Sequence, residues 1–472
     1  MDARRAAQDK VARDGHNGRA GNGRAGRAGR VAGGAGWGTP VLAGRAPLAV
    51  LAASLVVLVS PFGAATSSLA AAALLIVVLG GDLAFTPRPG RVGLVRSLPP
   101  TVHLGSQVTV SWTVSNPLRR PLVVRFADEL AGSLGATTRR ARVRVAPGRS
   151  VTLSATLRPE RRGRFTPTEL VVRAEGPLGL MARQGARRCP SVLRVYPNFG
   201  SRRQAELRIE RARILDIGVR SARARGGGTD FDQLRDYEID DDSRRIDWAA
   251  TARADRPIVR TYRAERNQRL ISLLDNGRTM AGQVAGVARV EHAIDAVMML
   301  TAVASRMGDM AGLVAFDRRV RAVVPPRSSQ GQLGVVTENL YDLQPELAQS
   351  DYRGAFTEVL ARFQRRAMLC LFTELDEALV DTLLPALPLI ARTHLLLVAT
   401  VSDPAVAAWA VEPPADIEAA YRRAAAASAR HRRKELARLL EAGGAMVVDA
   451  LPGRLGPLVT DAYLNVKATG RL

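Results

Sequence analysis

The chain has 472 residues, of which 47% are hydrophobic and 24% are charged, and its formal net charge is +24 at pH 7. This length allows two or three domains with separate cores, and the two cysteines, Cys189 and Cys370, lack the spacing of a metal site. Three of the 68 basic residues are lysine, a skew that codon bias in a GC-rich genome explains. The positive charge therefore indicates nucleic-acid binding only weakly and residence beside an anionic membrane surface better.

The N-terminal region divides into a polar tail and an apolar segment. Residues 1–45 are rich in Gly, Arg and Ala, and we predict that they are disordered because they offer few large apolar side chains. Residues 46–81 carry no charge, and one helix of that length would measure roughly 54 Å against a hydrocarbon core of about 30 Å. The Ser60–Gly63 turn therefore predicts a transmembrane helical hairpin over 46–85, with spans near 47–59 and 67–85.

The flanking charges predict the orientation of this hairpin. Arg45 precedes the first span, and arginines 88, 91 and 96 follow the second, so the positive-inside rule places both termini in the cytoplasm. A signal peptide cleaved near Gly63 is the alternative. The long segment before the first span and the second apolar run favour the hairpin.

Two folded domains are predicted beyond the hairpin. Between residues 94 and 200, alternating apolar residues such as those of Val108–Ser115 and the turns at Asn116-Pro117 and Pro147-Gly148 predict a small antiparallel β-sandwich. From residue 269 to 472, apolar strands alternate with amphipathic helices, which predicts an α/β doubly wound domain with a mostly parallel sheet. Residues 201–268 connect the two domains.

Candidate functional residues follow the predicted parallel strands. Asp275 and Thr279 come after the first strand of the α/β domain, Glu374 comes after a later strand, and Ser350 and Asp351 lie just before a helix. Ligands of such sheets bind at the carboxyl ends of the strands. Oxygen side chains from three loops are what a hard cation such as Mg²⁺ requires.

These loops resemble the metal-ion-dependent adhesion site of the von Willebrand factor type A fold. The resemblance implies a Mg²⁺ site, described as MIDAS-like, in which Asp275 takes the aspartate, Thr279 the second serine and Glu374 the last aspartate, with Ser350 or Asp351 near the threonine. Two departures weaken it, because Gly277 stands where the first serine would supply a hydroxyl and Glu374 is one methylene longer than aspartate.

A second resemblance lies in the charged stretch from Gly226 to Glu265, where aspartates and arginines surround single aromatic rings. Its pattern is similar to the signature of the bacterial family called domain of unknown function 58, and arginine-rich and Pro-Leu-Gly-Leu pieces of that family stand at 161–164 and 177–180. The matching signature residues are Phe231, Leu234, Arg235, Tyr237, Asp241, Arg245, Asp247, Trp248, Arg253, Arg260, Tyr262 and Glu265.

We expect this stretch to be structural. Its rings should lie in the core of the α/β domain and its charges should pair against that core, whereas exposed rings would make it a partner-binding surface. The rings in question are Phe231, Tyr237 and Trp248, and the charges are Arg235, Arg245, Asp241 and Asp247.

The family resemblance implies a protein of the bacterial cytoplasmic membrane that works with a MoxR-type AAA+ ATPase, in a chaperone-like or metal-inserting role. We therefore expect a cytoplasm-facing, non-enzymatic scaffold or adaptor that binds a protein partner. The five histidines are scattered and no nucleophile–base set is apparent. Two alternatives stay open, a metal-dependent enzyme using Asp275, Asp351 and Glu374, and a nucleic-acid binder using the basic tail and the basic helix near 422–434.

Overall fold

The computed structural model describes residues 38–211, 230–238, 243, 246–263 and 268–469. Most of the tail that we predict to be disordered, and part of the connector, lie outside these residues. Within them the protein is a mixed α/β structure with several sheets, as the sequence predicts.

The apolar segment forms two helices. Strand β1 (Thr39–Leu42) leads into α1 (Ala46–Val59), and a break at the predicted Ser60–Gly63 turn separates α1 from α2 (Ala64–Phe85). In the described part of the chain, the helix beginning at Ala64 is the one long and apolar enough to cross a membrane, whereas α1 has 14 residues. Most large apolar side chains of both helices are exposed.

Asp82 fixes the base of α2 to the following domain. Its buried carboxylate accepts hydrogen bonds from the backbone N–H groups of Leu178 at 2.8 Å, Leu180 at 2.9 Å and Met181 at 2.7 Å. Gly176 lies against this carboxylate, where a Cβ would meet both oxygens. The Pro-Leu-Gly-Leu segment at 177–180 thus holds the C-terminal end of α2 against the sandwich.

The next domain is a β-sandwich. Its sheets have the strand orders β1-β10-β9-β5-β6, β2-β4-β7 and β3-β11-β8 in the described residues, and β3 and β11 run parallel while the other pairs are antiparallel. The strands are β2 (Gly93–Ser97), β3 (Thr101–His103), β4 (Val108–Ser115), β5 (Leu122–Asp128), β6 (Arg140–Val145), β7 (Ser150–Leu157), β8 (Gly163–Phe165), β9 (Glu169–Glu175), β10 (Met181–Arg188) and β11 (Leu193–Tyr196).

The sandwich core contains Trp112, which is buried between the sheets with its ring 5.4 Å from that of Phe126. Its indole N–H donates to Asp128 at 2.6 Å, and Arg96 pairs with the same carboxylate at 2.5 Å. Arg96 is buried, so its assignment to the membrane-flanking charges is wrong. Arg88 and Arg91 remain in that position.

The connector begins with helix α3 (residues 202–211) and continues as an arm. In the arm, β12 (Asp230–Asp236) pairs antiparallel with β13 (Ile258–Arg263), and the short helix α4 (Trp248–Ala254) lies between them in sequence. We call residues 230–263 the signature arm.

The C-terminal domain is a doubly wound α/β sheet. In chain order its elements are β14 (Arg269–Asp275), β15 (Gln283–Val284), β16 (Val287–Ala288), α5 (Arg289–Arg306), β17 (Met310–Phe316), β18 (Val320–Arg327), α6 (Gln332–Leu340), α7 (Tyr352–Arg362), β19 (Met368–Phe372), α8 (Glu377–Thr393), β20 (Leu395–Val401), α9 (Pro404–Trp409), α10 (Ile417–Ala442), β21 (Met446–Ala450) and α11 (Leu455–Ala468).

Its main sheet has the order β18-β17-β14-β19-β20-β21, with β18 antiparallel at the edge and the other pairs parallel. Helices α5, α6 and α11 pack on one face and α7, α8 and α10 on the other. The chain leaves β14 and β19 toward opposite faces, so a topological switch point lies between these two strands.

Candidate functional site at the switch point

Asp275 ends β14 at the switch point and is fully buried. In the parallel registers, Asp275 lies beside Phe316 of β17 and Leu274 lies beside Phe372 of β19. A carboxylate at the carboxyl edge of a central strand stands where doubly wound sheets bind ligands. This is the position that the sequence predicts for it.

Four donors surround the Asp275 carboxylate. Oδ1 accepts from the Gly277 backbone N–H at 2.8 Å and from the Ser350 hydroxyl. Oδ2 accepts from Tyr352 Oη at 2.9 Å and from Thr373 Oγ1 at 2.6 Å. Since a carboxylate offers about four acceptor positions, this network occupies them. The buried charge is stabilised by hydrogen bonds from three separate loops.

A second set of hydrogen bonds joins the loop before α7 to the loop after β14. Asn276 Nδ2 donates to Gln344 O at 2.6 Å, and the backbone N–H of Glu346 donates to Asn276 O at 2.8 Å. Farther along, the backbone N–H of Arg278 donates to Ala348 O at 2.9 Å. These bonds bring Ser350 to Asp275 and fix the backbone at Arg278.

A small cleft with a volume of about 50 Å³ opens beside this network, and we call it the Asp275 cleft. Its lining residues are Arg278, Thr279, Gln349, Ser350, Tyr352, Asp376 and Ala378. Asp376 caps α8 by accepting from the Leu379 backbone N–H at 2.8 Å. Burial raises the pKa of Asp376, and the negative charge of Asp275 raises it further. The hydrogen bond from Leu379 opposes this effect in part. Burial and the Asp275 charge also raise the pKa of Tyr352, so its hydroxyl stays protonated as a donor.

The structure brings together only some of the predicted metal residues. Thr279 lines the cleft and Asp275 is hydrogen bonded to the cleft residues Ser350 and Tyr352, but Asp351 caps α7 by accepting from the Gly354 N–H at 2.9 Å. Glu374 pairs with Arg433 at 2.5 Å and with Arg289 at 3.1 Å. The sequence prediction missed Tyr352, Thr373 and Asp376. Thr373 directly follows the β19 strand, so its position at a strand end was a usable signal.

These residues do not fit a Mg²⁺ ion. Within the described ranges, no three His, Cys, Asp or Glu side chains group so as to hold a metal. A metal would need free oxygen ligands, whereas the Asp275 oxygens are already hydrogen bonded. A Cβ at Gly277 would collide with the Ser350 hydroxyl, so Ser350 occupies the space that a serine side chain at 277 would need.

Arg162 of the sandwich reaches the same loop system. Its buried guanidinium donates to the Leu343 carbonyl oxygen and pairs with Glu291 of α5, and Gln344 Nε2 donates to Arg162 O at 2.8 Å. Burial lowers the pKa of Arg162, and Glu291 opposes that effect. The arginine-rich segment at 161–164 is therefore a joint between the sandwich and the loop that supplies Ser350.

The signature arm differs from the sequence prediction. The Trp248 side chain is 70% exposed, so the expectation that it is buried is wrong, and Tyr237 is half-buried. Asp247 pairs with Arg260 at 2.7 Å, and Arg235 lies 3.6 Å from Glu238, and both of these pairs lie within the arm. Five other signature residues lie outside the described side chains, namely Phe231, Asp241, Arg245, Tyr262 and Glu265.

The fold and the cleft define a protein with an apolar helical segment, a β-sandwich and a doubly wound α/β domain that carries a polar cleft at its switch point. Comparison with protein families adds that residues 233–411 match the model of the family described as "Protein of unknown function DUF58". This confirms the second resemblance drawn from the signature residues.

Comparisons with individual proteins add little. No curated protein matches the chain. A trypsin-activated alpha-2-macroglobulin from Escherichia coli (18% identity) and a Salmonella alpha-2-macroglobulin reacted with methylamine (20% identity) each match with a TM-score of 0.18 over 22% of this chain and 7% of their own. A CARDB domain from Pyrococcus furiosus matches at 12% identity and a TM-score of 0.16, over 22% of this chain and 94% of its own. Likenesses at this level carry no argument about function.

Proposed function

We propose that the chain is a membrane-anchored, cytoplasm-facing, non-enzymatic adaptor whose α/β domain binds a protein partner at the Asp275 cleft. We infer that the partner is a MoxR-type AAA+ ATPase. The observation that carries the proposal is the construction of the cleft. The buried Asp275 carboxylate accepts hydrogen bonds from the hydroxyls of Ser350, Tyr352 and Thr373, which fixes the loops that line the cleft at the switch point.

The strand order supports a von Willebrand A-like assignment for this domain. Numbered within the domain, the order is 3-2-1-4-5-6 with the third strand antiparallel, and the cleft follows the first strand. A rigid sheet that presents loop residues at one edge is well suited to protein recognition, because little ordering entropy is lost on binding.

The anchor that we propose is the hairpin of α1 and α2, inserted from the cytoplasmic side with both termini there. Exposed apolar side chains such as Leu58 and Ile76, at 81% and 69%, favour a lipid environment. Strand β1 pairs with β10 of the sandwich, and Asp82 ties α2 to the same domain, so both ends of the pair meet one domain. Between Ala64 and Asp82, α2 rises about 27 Å, close to the thickness of the hydrocarbon core.

The adaptor proposal is tested by co-purification of the full chain with a co-expressed MoxR-type ATPase. Ala378 lines the cleft, and Ala378→Trp fills it without removing a donor to Asp275. We expect this variant to lose the ATPase. Ala391→Trp, an exposed position at the other end of α8, should retain it. Equal recovery with both variants would count against the cleft, and no recovery with the wild type would count against the ATPase as partner.

Topology has its own test, because a reporter fused after Leu472 should report a cytoplasmic location. A periplasmic signal would overturn the hairpin orientation.

The exposed ring of Trp248 favours the signature arm as a second contact of the same adaptor. The ring follows the Asp247–Arg260 pair, which holds the start of α4 to β13. A rigid aromatic side chain that is presented to solvent beside charges is a frequent anchor in protein interfaces. If the arm is such a contact, Trp248→Ala will weaken co-purification without affecting the cleft.

A further inference from the structure

We propose that the Asp275 cleft binds a carboxylate group of an acidic protein segment directly, through Arg278, and that it does so without a metal ion. This proposal rests on the adaptor function above and adds the chemistry of the partner. It depends on three features of the cleft, which are the closed network around Asp275, the positive charge at the mouth and the size of the opening.

The closed network replaces the interactions that a cation would make. The Ser350 hydroxyl donates to Asp275 through the space beside Gly277, and Thr373 and Tyr352 donate to the other oxygen. With the negative charge stabilised by these donors, a cation would gain its ligands only by breaking hydrogen bonds in a buried site. Gly277 is therefore the residue that allows the loops to close on one another.

The second carboxylate of the predicted metal set is also neutralised. Both oxygens of Glu374 are engaged, one by Arg433 at 2.5 Å and the other by Arg289 at 3.1 Å. Arg433 also donates hydrogen bonds to Thr400 Oγ1 at 2.6 Å and to Asp449 at 2.9 Å, and these bonds join the ends of the neighbouring strands β20 and β21. This part of the sheet edge thus has little net charge with which to attract a cation.

Arg278 supplies a positive charge at the mouth of the cleft. Its side chain is exposed, its backbone is fixed by the hydrogen bond to Ala348, and the described residues contain no side-chain hydrogen bond or ion pair for its guanidinium. Asp376 lines the same cleft, where the Arg278 charge acts on its carboxyl group, and it accepts a hydrogen bond as the cap of α8. A guanidinium with free donors can bind a carboxylate through two parallel hydrogen bonds.

The cleft is large enough for the end of one amino-acid side chain but too small for a cofactor. About 50 Å³ is the room of roughly one or two water molecules, whereas cofactor and drug-sized sites occupy about 300–1,000 Å³. The terminal group of an aspartate or glutamate fits such an opening. The hydroxyl of Thr279 and the amide of Gln349, which line it with Arg278, are donors that a carboxylate accepts from.

The first test measures binding of a fluorescent N-acetyl tetra-glutamate peptide to the purified full chain in detergent by anisotropy. Arg278→Gln should weaken binding about tenfold or more, because it removes a charge-assisted pair. The matched control, Arg392→Gln, changes an exposed arginine at the far end of α8 and should bind like the wild type. A tetra-glutamine peptide should bind none of the three proteins. Equal weakening by both arginine changes, or none by Arg278→Gln, would overturn the proposal.

The second test addresses the metal. Titration calorimetry of the chelator-treated full chain with MgCl₂ and with MnCl₂ should give no saturable heat, and EDTA should leave peptide binding unchanged. Saturable metal binding that Asp275→Asn abolishes, or peptide binding that requires added Mg²⁺, would overturn metal independence.

The two proposals can fail separately. If the ATPase is lost from Ala378→Trp but retained by Arg278→Gln, the cleft is a partner site and the carboxylate proposal falls. If the peptide result holds but the wild type recovers no ATPase, the carboxylate site stands and the partner assignment falls.

Discussion

The Asp275 cleft and the signature arm use the same local device in opposite surroundings. Asp275 accepts a hydrogen bond from the N–H two residues ahead, and Asp247 does the same with Ala249 at 3.0 Å. Asp275 is fully buried and gains three hydroxyl donors from distant loops. Asp247 gains one arginine from the neighbouring strand, beside an exposed tryptophan. Because Asp275 is buried among three loops, it connects distant parts of the α/β domain, whereas Asp247 only caps the helix that follows it.

The comparison predicts that removing Asp275 has the largest effect. Asp275→Ala leaves the hydroxyls of Ser350, Tyr352 and Thr373 without their acceptor in a buried site, which should cost at least about 3 kcal/mol of unfolding free energy. Urea denaturation of the purified chain measures it. Asp351→Ala removes only the cap of α7 and should cost about 1 kcal/mol. Similar losses for the two variants would contradict the central role of Asp275.

Gly277→Ala should have the next largest effect. The new Cβ would meet the Ser350 hydroxyl and lie 3.0 Å from Ala348 O, so the loops must separate at a cost of about 1–3 kcal/mol. The same denaturation assay applies. Gly334→Ala in α6, where a Cβ meets nothing, should instead be neutral or stabilising because alanine favours the helix. Wild-type stability in Gly277→Ala would mean that the loops are not closed around Asp275.

Asp247→Ala should act only on the arm. The hydrogen bond from Arg260, followed by that from the Ala250 N–H, lowers the pKa of Asp247. A lowered pKa in the folded state means that the stabilisation is present above the unfolded value, near pH 4, and is lost as pH falls through the folded value. At pH 7 we expect several-fold faster hydrogen exchange at Ala249 and Ala250, with β14 unchanged. The difference should vanish in acid, and slowed or unchanged exchange at neutral pH would refute the capping role.

Trp248→Ala should have the smallest effect on stability, within about 0.5 kcal/mol, because the side chain is 70% exposed. Thermal unfolding of the variant and wild type gives the comparison. A loss of more than about 2 kcal/mol would mean that the ring packs into a core, as the sequence alone suggests, and would remove the arm as a contact surface.

Much of the fold follows from local pattern. The alternation of Val108–Ser115, the apolar run that ends at Asp275 and the break at Ser60–Gly63 each predict an element that is present. Strand β10 could not be predicted in this way, because half of its residues Met181–Arg188 are polar and most of them are half-exposed, without an alternating pattern. It is held by pairing with β9 and β1, and such pairing between distant segments leaves no periodic signal in the sequence.

The sequence by itself determined that Asp275 ends a buried strand and that residues 226–265 resemble the signature of a known family. Only the tertiary structure decided which side chains reach Asp275, since Tyr352 and Thr373 are 77 and 98 residues away in sequence. It also decided that Glu374 faces arginines and that Trp248 faces solvent. The physical reason is that residue types fix what a group can bond to, whereas the packing of helices and strands fixes which groups meet and which remain in water.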